Sequence, residues 1–250
     1  MITFAGVGKR YQPDTWAVHD VSFEIAAGEL VAVLGESGSG KTTLLKMVNR
    51  LVEPTRGTIL VDGKSVRETD PVELRRTIGY VIQQVGLLPH LTIGANVAMV
   101  PKLLGWDEAK TSARVEELLA LVGLPEMSQR YPDQLSGGQR QRIGVARALA
   151  AKSKIMLLDE PFGGLDPITR VALQTALKKI HEELALTTVI VTHDLVEALT
   201  LADRIAIIFR GALKQFGTPN ELLKHPADPY VEELMGMARQ QAERLASMSA

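Results

Sequence analysis

The run Leu30-Val31-Ala32-Val33-Leu34, followed by Gly35-Glu36-Ser37-Gly38-Ser39-Gly40-Lys41-Thr42, constrains the fold of this chain more than any other stretch. The apolar run is of strand length and has no polar face, as a parallel strand buried on both sides requires. The residues after it fit the pattern G-x-x-x-x-G-K-[ST]. From Thr43 to Leu51 the apolar residues Leu44, Leu45, Met47, Val48 and Leu51 share one side, so the spacing predicts a helix. Strand, glycine loop and helix together form a phosphate cradle, in which backbone N–H groups curl around the oxygens and the helix N-terminus adds partial positive charge. That context separates the loop from a plain glycine-rich turn. Lys41 is expected to reach the β- and γ-phosphates of a nucleoside triphosphate, and the Thr42 hydroxyl to sit on Mg²⁺.

A loop of this kind needs a parallel α/β sheet, and the rest of the chain supplies one. Ile155–Leu158 and Thr188–Val191 are apolar runs flanking a predicted helix, Pro167–Leu184, and strand–helix–strand order calls for parallel pairing. Ile78–Ile82 is a further strand. Ahead of the loop, Ile2–Val7 and Val18–Ile25 read as strands parted by the turn Gln12-Pro13-Asp14, and Gly57–Gly63 reads as a strand closing in an Asp-Gly turn. Pro71–Arg76 is a short helix with proline at its first position. Between Thr92 and Ala150 the strand pattern gives way to helices at Ile93–Val100, Asp107–Leu121 and Gly137–Ala150, with Asp107 and Asp133 suited to caps or turns. Arg204–Phe209 and Ala212–Phe216 form a hairpin turning at Arg210-Gly211, and Pro226–Met235 begins a terminal helix before an alanine-rich polar tail. The 250 residues, 46% of them apolar, suit one large α/β domain with an inserted subdomain.

Bulk properties exclude several roles. With 28 basic and 29 acidic residues, the net charge of −1 implies no basic face for nucleic acid. There is no cysteine, hence no disulfide or thiolate metal site, which fits a reducing compartment. Neither a secretory leader nor an apolar run long enough to span a bilayer is visible, so the chain is expected to be soluble and to meet a membrane through a partner.

Four further stretches carry chemistry. Asp159-Glu160 closes an apolar strand: the first carboxylate is suited to Mg²⁺, usually through water, and the second to polarising an attacking water. His193, leaving the next strand at the edge where ligands bind in such sheets, is placed for a γ-phosphate contact. Gln83 also ends a strand, where its amide can touch Mg²⁺ or the attacking water. In Leu135-Ser136-Gly137-Gly138-Gln139, Ser136 caps a helix whose first N–H groups two glycines leave open, a second anion site at a helix N-terminus. One loop already grips the phosphates, so a second phosphate-binding helix suggests that two chains share each nucleotide. Tyr11 reads either as ordinary packing or as a stacking platform for a nucleotide base.

In their order, the loop 35–42, Gln83, the Leu-Ser-Gly-Gly-Gln stretch 135–139, the acidic strand end 159–160, Gly164-Leu165-Asp166 and His193 resemble the ATPase subunits of ABC transporters. The match covers roughly residues 1–235. The resemblance implies a P-loop NTPase of the ABC type: a mostly parallel core sheet, an N-terminal antiparallel β subdomain (1–91 and 151–235 together with the core), a helical subdomain at about 92–150, and a tail at 236–250. It implies a head-to-tail dimer with ATP and Mg²⁺ at the interface. Lys41, Thr42, Gln83, Asp159, Glu160 and His193 of one chain would face Ser136, Gly137, Gly138 and Asp166 of the other. It further implies Glu160, His193, Gln83 and Lys41 as catalytic residues, Thr42, Gln83 and Asp159 as metal ligands, and Tyr11, the loop 35–42, Thr43, Ser136–Gln139 and Asp166 as nucleotide contacts. Gln83 would also couple to a membrane permease.

A narrower likeness, to the importers of quaternary-amine osmoprotectants (glycine betaine, carnitine, choline), rests on Leu51–Thr55, Asp70–Arg76, Ile78–Gln84 with Gly86-Leu87-Leu88-Pro89-His90, and Asp166–Arg170. It implies a permease, an extracytoplasmic binding protein, no nucleic acid, and a peripheral place on the cytoplasmic face of the inner membrane. Gly163 departs from that pattern, standing where a small polar residue is common. The sequence ends at Ala250, where many osmoprotectant ATPases carry paired regulatory domains, so ionic-strength sensing through such domains is not expected. Importers of other solutes, such as amino acids, share the same motor. Soluble relatives that act on DNA or ribosomes are the alternative class, but the stretch from Lys41 to Ser136 leaves no room for a long coiled coil, and the motifs occur once, not twice. A P-loop kinase would leave the 135–139 stretch unexplained.

Overall fold

The computed structural model describes residues 1–12 and 15–248, so Pro13 and Asp14 of the expected first turn lie outside the described residues. The chain divides into two compact units, residues 1–69 with 189–250, and residues 70–188.

The first unit opens with β1 (Ile2–Gln12) and β2 (Thr15–Ile25), each longer than the sequence pattern suggested. They continue past the alternating core positions as an exposed ribbon, where apolar periodicity gives no signal. Then come β3 (Leu30–Leu34), buried at every position, α1 (Lys41–Val48), β4 (Arg56–Val61) and β5 (Lys64–Ser65). The helix after the loop starts two residues earlier than expected and ends at Val48 with Asn49 as its C-cap, before Arg50 takes a left-handed φ of 53°. Strands in the order β2-β1-β4-β5 make an antiparallel sheet, and the Asp62-Gly63 turn between β4 and β5 has both residues left-handed, as a tight hairpin requires.

The second unit begins with α2 (Pro71–Thr77), where Asp70 Oδ1 accepts the N–H groups of Val72 (2.9 Å) and Glu73 (3.0 Å). Next are β6 (Ile78–Val81), α3 (Ile93–Leu103) and α4 (Glu108–Leu121), the last capped by Asp107 accepting from the Lys110 N–H at 2.7 Å. A 3₁₀ turn at Pro132–Gln134 takes up Asp133 and leads to α5 (Gly137–Leu149). The chain then forms β7 (Ile155–Asp159), parallel to β6 with Ile78 opposite Ile155, followed by α6 (Pro167–Leu184). The helical stretch 92–150 packs through Val97, Leu118, Leu119 and Ile143, all fully buried. Asn96, equally buried, fills its amide with backbone: Oδ1 accepts from the Leu88 N–H, and Nδ2 donates to the carbonyls of Leu88, Leu91 and Thr92.

Within β8 (Thr187–Thr192) the chain passes back to the first unit. There α7 (Leu195–Leu201), β9 (Arg204–Phe209), β10 (Ala212–Gly217), α8 (Pro219–Lys224) and α9 (Pro229–Met248) complete the fold. Strand β3 lies between β8 and β9 and is parallel to β9, and β10 closes that edge as the antiparallel hairpin expected at Arg210-Gly211. Phe23 of β2 stacks on Phe4 (centroids 4.6 Å apart) and meets Phe216 of β10 at 4.8 Å, joining the two sheets of this unit. The segment read as a tail from residue 236 is the continuation of α9.

Candidate functional site

In the first unit, the glycine loop runs from the end of β3 into the N-terminus of α1. Two glycines are fixed by geometry. A Cβ on Gly35 would lie 2.1 Å from the Ile208 carbonyl oxygen, and Gly40, with φ 101°, caps α1 where a Cβ would lie 2.1 Å from the Ala17 carbonyl. With glycine as its N-cap, α1 has no side-chain cap and no acidic residue in its first turn, so neither of these offsets its positive end. Lys41 is buried, and its ammonium donates to the carbonyls of Gly35 (2.8 Å) and Glu36 (2.7 Å), inside the loop's curve. The Ser39 hydroxyl is also buried there and has no hydrogen-bond partner among the described residues. A buried cation, an orphaned hydroxyl and a bare helix N-terminus fit the polyphosphate of a nucleotide.

Tyr11 stands at the exposed end of β1, 59% accessible, with its hydroxyl oxygen 3.5 Å from that of Thr43 on α1. Its hydroxyl therefore stands beside the loop helix. The ring is not part of the core, and the Lys9 ammonium lies over it, 5.1 Å from its centroid. His193 is exposed at the end of β8 and lines, with Gly35 and Glu36, a cavity of about 280 Å³. Its neighbours are tightly held. The Thr192 hydroxyl donates to the buried Glu197 carboxylate (2.7 Å) and accepts from the Asp194 N–H (3.0 Å), while Asp194 Oδ1 caps α7 through Val196 and Glu197. The same cavity is closed by Tyr230 of α9, whose phenol is held above its ordinary range by burial and then by the Glu36 carboxylate. Nothing local in the sequence marks Tyr230, since its place depends on how α9 folds back.

In the second unit, Asp159 ends β7 buried and Glu160 follows with φ 47°, a left-handed conformation that costs a non-glycine residue of order 1–3 kcal/mol. The turn swings the Glu160 carboxylate to Gln83, whose amide donates to it at 2.9 Å. So Gln83 and Glu160, far apart in sequence, are brought into contact. Tyr80 of β6 lies beside Asp159: burial, then that carboxylate's charge, pushes the phenol above its ordinary range. Gln141, buried on α5, donates to the Pro161 carbonyl (2.7 Å) and fixes the segment after the carboxylates, another contact the sequence did not disclose.

Ser136 caps α5 as expected, accepting the Gln139 N–H at 3.2 Å, while the Gln139 side chain accepts the Ser136 N–H at 2.9 Å. This reciprocal pair is a capping box. Ser136 and Gly137 are exposed at the helix tip. Asp166 is likewise exposed and caps α6 through the Thr169 N–H (3.0 Å), and hydrogen bonds from Thr169 hold its carboxyl below the ordinary range. Among the described residues no group of three or more histidine and acidic side chains could cage a metal ion. Mg²⁺ would then rely on one carboxylate, a hydroxyl and phosphate oxygens, which is its usual mode with nucleotides. Also among the described residues, no helix is long and apolar enough to cross a membrane.

Loop, carboxylate pair and capped glycine helix define an ATP-binding cassette, and the chain belongs to the ABC transporter family, whose model matches residues 18–163. It is similar to the choline transport ATP-binding protein OpuBA of Bacillus subtilis, 54% identical over 240 residues, 96% of this chain and 63% of that protein. The glycine betaine/carnitine/choline transport ATP-binding protein OpuCA of the same organism also matches at 54%, over the same share of each. The chain thus spans less than two thirds of the length of these relatives. A solved dimer of the ATP-binding cassette MJ0796, in a post-hydrolysis state with ADP and Pi, is 35% identical with a TM-score of 0.79, covering 88% of this chain and 99% of that one.

Proposed function

We propose that this chain is the ATP-hydrolysing subunit of an importer for a small quaternary-amine solute such as glycine betaine, carnitine or choline. The observation that carries the motor reading is the buried Lys41 ammonium within the loop of residues 35–42, at the bare N-terminus of α1. The printed functions of the two similar Bacillus subtilis proteins support the solute. Residues 1–235 form the ATPase domain in this reading.

Lys41, the loop N–H groups, Tyr11 and Thr43 bind the nucleotide. Thr42, Asp159 and Gln83 would hold Mg²⁺, which when bound would neutralise charge on the phosphates. Glu160 takes a proton from the attacking water, Gln83 holds that carboxylate in place, and His193 contacts the γ-phosphate. Two chains associate head to tail, so that Ser136, Gly137, Gly138, Gln139 and Asp166 of one complete the site of the other. Hydrolysis here is positioning and charge stabilisation. The subunit works on the cytoplasmic face of the inner membrane, docked on a permease that an extracytoplasmic binding protein feeds.

Tagged chain purified from detergent-solubilised membranes tests the assignment. A co-purifying permease whose binding protein takes betaine-like cations is the expected result. A permease for another solute keeps the motor and removes the osmoprotectant, and recovery on ribosomes or DNA overturns the transporter reading.

A further inference from the structure

Strands β6 and β7 pair in parallel with Val81 opposite Leu158, so Gln83 and Glu160, each two residues further on, leave the sheet side by side. There the Gln83 amide reaches the Glu160 carboxylate at 2.9 Å. Helix α5 meets both exits just past that pair. Gln141 donates from its side-chain amide to the Pro161 carbonyl (2.7 Å), one residue beyond Glu160. Gly144 lies against Val85, where a Cβ would come 2.5 Å from Val85 Cγ1, and Arg147 donates to the carbonyls of Val85 and Gly86. Residues 141, 144 and 147 follow one i, i+3 row of the helix, so a single rigid element brackets the pair.

Glu160 needs such a bracket. Its φ of 47° is left-handed, whereas the residue before a proline is pushed toward extended backbone. Within the turn the Gly163 N–H donates to the Glu160 carbonyl at 3.2 Å, and the next carbonyl, that of Pro161, accepts from Gln141. Gln141 is only 4% exposed. A glutamine is seldom so buried, and an apolar side chain of its length would fill the same volume without desolvating an amide. The packing of α5 therefore does not call for glutamine at this position, while the Pro161 carbonyl does.

We infer that Gln141 is a positioning residue for hydrolysis: through Pro161 it fixes the turn that carries the Glu160 carboxylate to Gln83. It acts on the backbone beside the base. The inference rests on the role of Glu160 as proton acceptor proposed above. A misplacement of about 1 Å at a reacting group can lower a rate by roughly a hundredfold, so a single hydrogen bond behind the carboxylate is enough to matter.

Gln141→Met, nearly as long but without the donor, tests this in the full chain, alone and combined with Glu160→Gln. Circular dichroism checks that each variant folds, and Gln141→Asn, whose amide stops a methylene short of Pro161, replaces a methionine variant that does not. Gln141→Met is expected to lower kcat for phosphate release about ten- to a hundredfold, with affinity for a fluorescent ATP analogue within about twofold of the parent. In the Glu160→Gln background, single-turnover hydrolysis of radiolabelled ATP is expected to fall no further, because no base is left to position. An equal loss in both backgrounds overturns the inference, since Gln141 would then act independently of Glu160. So does a loss of nucleotide affinity as large as the loss of rate. Parent activity in Gln141→Met beside an inert Glu160→Gln removes the inference alone, whereas parent activity in Glu160→Gln removes the role of Glu160 and the inference with it.

Discussion

The Gln83–Glu160 contact is the residue-scale feature with the clearest consequence. Glu160 is held left-handed at the end of a buried strand and met by an amide at 2.9 Å. If it removes the proton from the attacking water, Glu160→Gln keeps the size and the polar contact but not the basicity. Phosphate release is expected to fall by about 10²–10⁴-fold, with affinity for a fluorescent ATP analogue near the parent value. An unchanged rate would take Glu160 out of the chemistry. Beside His193, Thr192→Val removes the hydroxyl that donates to the buried Glu197 carboxylate and is expected to cost about 1–3 kcal/mol in urea unfolding, while Thr192→Ser restores it. Equal losses for both variants would mean the methyl, not the hydroxyl, matters. At this scale the loop, the two carboxylates and the Ser136 cap were legible because each is a contiguous pattern with its own local physics. The contacts of Gln83 with Glu160, Gln141 with Pro161, and Tyr230 beside Glu36 join distant residues, and one sequence carries no sign of who meets whom.

Elements were legible where burial imposes a period or a continuous apolar run. β3, β7 and β8 are buried at every position and stand where apolar runs predicted strands. The short helices α7 and α8 went unread, because six or seven residues give too few turns for periodicity and their starts depend on caps. Those caps make a pH prediction. Asp166 at α6, Glu221 at α8 and Asp228 ahead of α9 all have pKa values lowered by hydrogen bonds: from Thr169, from Thr218, and from the Tyr230 N–H and Lys214. A carboxyl lowered on folding binds fewer protons in the native state than in the unfolded one. Its contribution is fully present above the ordinary carboxylate range and lost as pH falls through that range toward the lowered value. Urea midpoints are expected to drop from about pH 5 downward, and Asp166→Asn should flatten part of that slope. Because Asp166 and Glu221 are exposed and Asp228 is only half-buried, each effect is modest. A variant slope identical to the parent's would remove Asp166 from the acid response.

At the scale of the molecule, the expected functional groups fall into two sets. The phosphate loop, Tyr11 and His193 belong to the unit of residues 1–69 and 189–250, and Gln83, Ser136, Asp159, Glu160 and Asp166 to the unit of residues 70–188. Ser136 and Gly137 are exposed at the tip of α5 with their N-terminal dipole directed outward, which suits an anion brought by another chain. A shared site predicts complementation. Lys41→Ala disables a chain's own loop, and Ser136→Glu sets a carboxylate where the partner's γ-phosphate would sit, so each variant alone should hydrolyse almost nothing. In a head-to-tail pair of the two, one site combines both defects and the other combines an intact loop with an intact α5 tip. Twofold symmetry makes that outcome unavoidable if the sites are shared. An equimolar mixture, half of it mixed dimers with one working site each, is then expected to recover up to roughly a quarter of the parent activity. Sites contained within single chains would recover none, because each chain would keep its own defect, and the head-to-tail arrangement would have to be abandoned.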